Sequence, residues 1–128
     1  MLLKENTLKL STLNKTWIFD FDGTLVVHNG YKTGEDRFLD GAKEFLQSIP
    51  EDDFVIIMTA RENAAKDKTE KFLKENNIRY DRILFEMPMG ERILINDNKP
   101  SGLKCAYALC PNRNEGFNNI NIELDENL

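Results

Sequence analysis

The strongest candidates for catalysis in this chain are two aspartates that are separated by one residue. The apolar residues 17–19 lead directly into Asp20 and Asp22, and the chain then turns at Gly23. Side chains of an extended segment alternate with a period of two, so both carboxylates project to the same side. At the end of a buried strand, one carboxylate can attack while the other moves a proton, with a hard cation beside them. The spacing therefore predicts an acid pair at the mouth of a cleft.

The composition predicts one ordinary globular domain. The chain has 128 residues, of which 41% are hydrophobic and 30% charged, and we expect a single domain over 1–128 with its core at about 15–110. A net charge of −5 argues against a nucleic-acid surface. No apolar run is long enough to cross a membrane, and residues 1–15 lack the apolar core of a signal peptide. We therefore expect a cytoplasmic protein with no membrane partner.

The histidine and cysteine content excludes several other chemistries. His28 is the only histidine, so a multi-histidine zinc centre is excluded, and Ser–His or Cys–His catalysis would have to use His28. Its place in a loop leaves open whether it touches substrate or has no role. Cys105 and Cys110 match no zinc spacing and are predicted to be core thiols. Chemistry is thus expected mainly from carboxylates, hydroxyls, lysine and arginine.

The hydrophobic pattern predicts strands that alternate with helices. Continuous apolar runs predict buried strands, and alternation predicts edge strands. The predicted strands lie at about 16–20, 54–58, 82–85, 92–96 and 104–110, with edge strands at 8–10 and 120–124. Helices are predicted between Asp40 and Pro50 and at about 62–76. This order favours an α/β fold with an open, Rossmann-like parallel sheet and helices on both faces.

Polar residues follow three of these strands. Asp20 and Asp22 end the first, Thr59 ends the second, and Asp97 ends the predicted strand 92–96. Open parallel sheets bind their ligands beyond the carboxyl ends of the strands. We therefore expect these side chains to form one site.

The run from Asp20 to Leu25 reads Asp-Phe-Asp-Gly-Thr-Leu, and it resembles the first motif of the haloacid dehalogenase (HAD) superfamily. The resemblance implies the HAD fold and a Mg²⁺-dependent phosphatase that works through an aspartyl-phosphate. Asp20 is the expected nucleophile, and Asp22 is expected to protonate the leaving alkoxide and then take a proton from water. A halide leaving group needs no proton, so the second acid favours phosphoryl chemistry over dehalogenation.

Thr59 matches the second HAD motif, which holds phosphoryl oxygens through a hydroxyl and nearby backbone N–H groups. Arg61 is close enough in sequence to offer a bidentate fork to a phosphate or a substrate carboxylate, or else to be a solvated residue at a helix start. Both alternatives stay open. The residues expected to bind substrate are Gly23, Thr24, Ala60 and Arg61.

Asp97 matches the fourth motif, so the resemblance implies three Mg²⁺ ligands: the carboxylates of Asp20 and Asp97, and Asp22 through its backbone carbonyl. The family usually has paired acids here, whereas this chain has Asn96 beside a single aspartate, which leaves the role of Asn96 open. The third motif's lysine is missing from residues 86–90. Lys99 is the expected catalytic replacement. We rank Arg92 lower because it begins a predicted strand at the end away from the site.

The intervals where HAD enzymes carry a substrate-selecting cap are short. Residues 23–54 hold a loop and one helix, and residues 60–84 hold one helix. The chain therefore looks like a capless member, and such members act on large substrates, or on small ones when a second subunit closes the site. Residues 90–104 also resemble small capless HAD proteins of bacterial surface-polysaccharide synthesis.

These features predict hydrolysis of a small phosphorylated substrate, a sugar phosphate or related metabolite. Two alternatives remain. One is a nucleotide or phosphoprotein phosphatase, which an open site would allow. The other is a non-catalytic phosphate-binding regulatory module, suggested by the missing lysine and by Asn96.

Overall fold

The computed structural model describes residues 6–128 and is an α/β protein with two open parallel sheets. The strands are β1 (Asn6–Leu10), β2 (Thr16–Asp20), β3 (Phe54–Met58), β4 (Arg82–Leu84) and β5 (Ile120–Leu124). The helices are α1 (Gly30–Thr33), α2 (Ala42–Ser48) and α3 (Lys66–Glu75), with a 3-10 turn at Asn63–Ala65. Within residues 6–128, no helix has the length and apolar character needed to span a membrane.

The central sheet has three parallel strands in the order β2-β3-β4. Asp20 at the end of β2 is in register with Met58 at the end of β3, and Met58 is in register with Leu84 of β4. The three predicted strands are confirmed. Because they are parallel, the residues that follow them lie at one edge of the sheet.

One face of this sheet carries the core. Trp17 and Phe19 of β2 pack against Phe45 of α2, with ring centroids 5.7 and 6.0 Å apart. The other face leaves Ile18 and Leu84 exposed. Leu46 of α2 and Leu73 of α3 are buried in the same cluster as Phe19 and Ile57, so both helices pack on the core face. The prediction of helices on both faces is therefore wrong for the described residues.

The edge strands predicted near both termini are confirmed, but they pair with each other. β1 and β5 form a separate two-stranded parallel sheet, with Leu8 in register with Ile122. Phe117, just before β5, is buried and packs against Phe45 at 5.0 Å. The end of the chain therefore belongs to the main core, beyond the predicted limit near residue 110.

The strands predicted at 92–96 and 104–110 are wrong. Residues 85–119 contain no regular helix or strand, and residues 91–100 are exposed, with Ile95 at 93%. A parallel strand after β4 needs a crossover of about a dozen residues or more, and the chain offers fewer between Leu84 and Arg92. Cys105 and Cys110 are exposed free thiols, so the prediction that they are core residues is also wrong.

Candidate active site

A tight turn after β2 fixes the two aspartates. The backbone carbonyl of Phe21 accepts hydrogen bonds from the amides of Thr24, Leu25 and Val26 at 2.9–3.2 Å. Gly23 adopts a φ of +83°, a left-handed conformation that favours glycine. The Phe21 ring is fully buried, whereas its neighbours Asp20 and Asp22 are only partly buried. The predicted alternation is therefore confirmed: Phe21 is buried, and Asp20 and Asp22 on either side of it are more exposed.

Both aspartates line a cleft of about 830 Å³ at the carboxyl edge of the central sheet. Thr59, Ala60 and Arg61, which follow β3, line the same cleft. This is the convergence expected for neighbouring parallel strands.

Asp22 and Arg61 form a bidentate ion pair. Arg61 Nη2 donates to Asp22 Oδ1 at 2.8 Å, and Arg61 Nε donates to Oδ2 at 3.0 Å. The Thr59 hydroxyl lies 3.4 Å from Asp22 Oδ2 and accepts the Arg61 amide at 3.0 Å. Thr59, Arg61 and Asp22 thus form one hydrogen-bonded group that joins the ends of β2 and β3.

The same guanidinium binds a second carboxylate. Arg61 Nη1 and Nη2 donate to Asp36 at 2.9 and 2.6 Å, and Nη1 also donates to Thr69 Oγ1 at 2.8 Å. All five N–H donors of Arg61 are therefore used within the protein. The solvated alternative for Arg61 is wrong, because the residue is buried. In this arrangement it has no donor left for a substrate phosphate.

Aromatic rings enclose the Arg61 guanidinium. Its Cζ lies 4.6 Å from the Phe21 ring centroid and 3.8 Å from that of Tyr31, within cation–π range. Burial lowers the pKa of Arg61, but hydrogen bonds to Asp22 and Asp36 and their charges outweigh burial and leave the pKa raised. Arg61 is therefore a permanent cation that joins Asp22 to the flap, which we define as residues 27–38.

Asp20 has a different environment. Its Oδ1 accepts a 2.8 Å hydrogen bond from Arg92 Nη1, and its Oδ2 accepts a 2.9 Å hydrogen bond from the Thr24 hydroxyl. The Asp20 side chain keeps 38% of its exposure. Sequence reasoning ranked Arg92 below Lys99 because it placed Arg92 in a strand. No strand forms there, and Arg92 lines the cleft.

Asp97 and Lys99 lie apart from this group. Both are exposed, and neither lines the cleft. The Lys99 amide donates to the Leu103 carbonyl, and the Gly102 amide donates to the Lys99 carbonyl, so this segment forms a local turn. Asn96 makes a side-chain hydrogen bond only to the neighbouring Asp97 carbonyl within the described residues.

The described residues do not bring the three expected Mg²⁺ ligands together. Within residues 6–128 no group of three or more His, Cys, Asp or Glu is placed to hold a metal ion. The Asp20 carboxylate, one of the expected ligands, is paired with Arg92. Asp97, the third expected ligand, is outside the cleft.

The structure brings three further residues to the cleft, of which His28 alone was considered as a substrate contact from the sequence. Lys68 of α3 donates to the carbonyls of Tyr31 and Gly34 and so fastens the flap. His28 lines the cleft, and its buried Nδ1 has no hydrogen-bond partner among the described residues. Arg113 reaches the cleft from a loop that received no role. The Asn-Arg-Asn-Glu-Gly composition of residues 112–116 is a turn signal that could have drawn attention to it.

Comparisons of the chain with protein-family models, with curated proteins and with solved structures found no match.

Proposed function

We propose that this chain hydrolyses phosphate monoesters through an aspartyl-phosphate formed on Asp20. The observation that supports this proposal most strongly is that two aspartates in one cleft have different environments. Asp20 is half-exposed at the end of a strand, and Asp22, two residues later, is fixed by Arg61. A two-step displacement requires a nucleophile that is accessible to the substrate and a general acid–base that is fixed beside it.

In the first displacement, an Asp20 carboxylate oxygen attacks phosphorus, and the bond from phosphorus to the ester oxygen breaks. Asp22 donates a proton to the leaving alkoxide. In the second displacement water attacks the aspartyl-phosphate, phosphate leaves, and Asp22 regains its proton from that water.

In this proposal Arg92 is the cation beside the nucleophile. It takes the place of the third-motif lysine, which the sequence analysis assigned to Lys99. Its guanidinium holds one Asp20 oxygen at 2.8 Å and can stabilise negative charge on the transferring phosphoryl group. Thr24 holds the other Asp20 oxygen. Mg²⁺ stays the cofactor that the motif resemblance implies, and the test includes it.

The substrate proposed is a small phosphorylated metabolite such as a sugar phosphate. The cleft is bordered by the short flap, and no cap domain interrupts the elements of residues 6–128. A second copy that closes the cleft remains a proposal.

A second candidate is a phosphate-binding module without turnover. The pairing of both acids with arginines, and the position of Asp97 outside the cleft, favour it. Pure binding, however, gives no reason for an exposed carboxylate at Asp20, which would repel a phosphate.

The test is phosphate release from sugar phosphates, nucleotides and a phosphopeptide, with Mg²⁺ and with chelator. We expect turnover of a sugar phosphate by the natural protein and its loss in Asp20→Asn. The matched control is Asp52→Asn, which changes an exposed aspartate in the turn before β3. Phosphate binding without turnover on any substrate would support the binding module instead.

A further inference from the structure

A loop late in the chain is bonded to the turn that carries the acid pair. The Asn114 amide donates to the Gly23 carbonyl at 2.8 Å, and Asn114 Oδ1 accepts the His28 amide at 2.9 Å. These two bonds join residue 114 to the turn after Asp22 and to the flap. Asn114 has a φ of +64°, a conformation that asparagine tolerates better than most residues.

The other end of this loop is fixed in the core. Gly116 has a φ of +85°, and a Cβ there would lie 2.6 Å from the Asp40 carbonyl oxygen, which excludes a side chain. The Phe117 amide donates to the same carbonyl at 2.8 Å, and its ring is buried. The loop is therefore held on both sides of Glu115.

Arg113 projects from this fixed loop into the cleft. Its Cγ lies 3.1 Å from the position that a Cβ on Gly23 would occupy, so the side chain runs along the turn after Asp22. Across the part of the chain that the structure describes, its guanidinium makes no ion pair or hydrogen bond. Arg61 and Arg92, the other arginines of the cleft, are both paired with carboxylates. The guanidinium of Arg113 therefore has N–H donors that can bind a ligand.

The charge of the cleft also favours an anionic ligand. The cleft is lined by five basic and three acidic residues, and Asp36, bound to Arg61 behind the lining, is a fourth acid, so basic residues remain in excess although the chain carries a net charge of −5. The basic residues are Lys32, Arg61, Lys68, Arg92 and Arg113, and the acidic ones are Asp20, Asp22 and Glu62. A locally positive cleft on an acidic protein concentrates anions there.

We propose that Arg113 binds a second oxyanion on the leaving group, so that the substrate is a phosphate ester with a further carboxylate or phosphate. The inference rests on the proposed phosphatase site. Arg92 already stands beside the nucleophile, whereas Arg113 lies along the turn next to Asp22, which protonates the leaving group. Arginine suits this role because its planar fork matches both carboxylate and phosphate.

The test measures binding by calorimetry to Asp20→Asn protein, in which the proposed nucleophile is removed. Three probes differ in the second group: glucose 1-phosphate has none, glucuronic acid 1-phosphate has a carboxylate, and glucose 1,6-bisphosphate has a phosphate. We expect one of the two doubly anionic esters to bind roughly ten- to a hundredfold more tightly than glucose 1-phosphate, the range for a charge-assisted contact. Which one does so distinguishes the two oxyanions.

Adding Arg113→Gln is expected to abolish that preference, and Arg113→Lys to keep part of it. The control is Arg37→Gln, since Arg37 is an exposed arginine of the flap that does not line the cleft. Equal affinities for the three probes, no measurable binding of any, or a preference unchanged in Arg113→Gln would overturn the inference. A preference that depends on Arg113 in a protein that never releases phosphate would support this site while contradicting the proposed hydrolysis.

Discussion

The two aspartates of the motif are each bound by an arginine, yet the two ion pairs differ in nearly every physical respect. Arg61 is 1% exposed in its side chain, and it holds Asp22 and Asp36 together between two aromatic rings. Arg92 and Asp20 are 37% and 38% exposed and share one hydrogen bond. The buried pair fixes a group in place, whereas the exposed pair leaves its carboxylate accessible to a ligand.

This difference predicts that the buried ion pair contributes mainly to stability and the exposed ion pair mainly to activity. Removing one partner of a buried, hydrogen-bonded charge network leaves an uncompensated charge in a low-dielectric environment. An exposed ion pair contributes little to folding, because water and salt screen it. We therefore expect Arg61 to matter for the fold as well as for Asp22, and Arg92 to matter chiefly for the reaction.

The largest expected effect is on folding, in Arg61→Met. Asp22 and Asp36 would lose their shared cation, and we expect the free energy of unfolding to fall by about 3–5 kcal/mol. Urea denaturation measures this value. The matched variant Arg92→Met should lose no more than about 1 kcal/mol. Equal losses in the two variants would show that burial does not separate the two pairs.

The next effect is on activity, in Arg92→Gln. If Arg92 stabilises charge at the reacting phosphoryl group, kcat should fall by about a hundredfold, as when one donor to a transition-state oxyanion is removed. The unfolding free energy should hardly change. Steady-state kinetics on a hydrolysed sugar phosphate measures the loss, and Lys99→Gln is the comparison. A larger loss in Lys99→Gln would return the role to the residue that sequence reasoning chose.

A smaller effect is expected in Asp36→Asn. This change replaces one accepting oxygen with an NH₂ donor, so Asp36 loses one of its two hydrogen bonds from Arg61 and the charge that strengthens the other. We expect a loss of about 1–3 kcal/mol in stability. Amide hydrogen exchange should become faster in the flap, because Asp36 is its buried anchor. Glu35→Gln, the same change in charge at the exposed neighbouring position, should leave both properties unaltered. Faster exchange in both variants would contradict the anchoring role.

The smallest effect is the response to salt. In about 1 M NaCl the Debye length is about 3 Å, so the stability difference between the natural protein and Arg92→Met should shrink toward zero. The deficit of Arg61→Met should persist, because its charges are screened much less. Denaturation at low and high salt measures both. A deficit in Arg61→Met that salt removes would mean that the network is accessible to solvent.

The sequence predicted the parts of the site that depend on local pattern. The period-2 alternation around Phe21 places Asp20 and Asp22 on one side, and the parallel β2 and β3 bring Thr59 and Arg61 to the same edge. These inferences needed no knowledge of distant partners. The terminal edge strands followed from alternation in the same way, although their pairing with each other did not.

The other residues of the site are brought together by contacts between positions that are far apart in the sequence. Arg92 is separated from Asp20 by 72 positions, and no local pattern selects it over Lys99. The apolar run 92–96 suits a strand, but a strand also needs a partner edge, and the short connection from β4 does not supply one. Arg113 reaches the cleft because Asn114 and Gly116 fix a turn against residues about 75 to 90 positions earlier. Such contacts become visible only in the folded chain.

The central claim is that Asp20, the exposed member of the pair, becomes covalently bound to phosphate. Sodium borohydride reduces an aspartyl-phosphate to homoserine, so treatment during turnover followed by peptide mass spectrometry identifies the carboxylate that attacked. We expect homoserine at position 20, dependent on substrate, with position 22 unmodified. Phosphate release with homoserine at position 22, or with neither aspartate reduced, would contradict it.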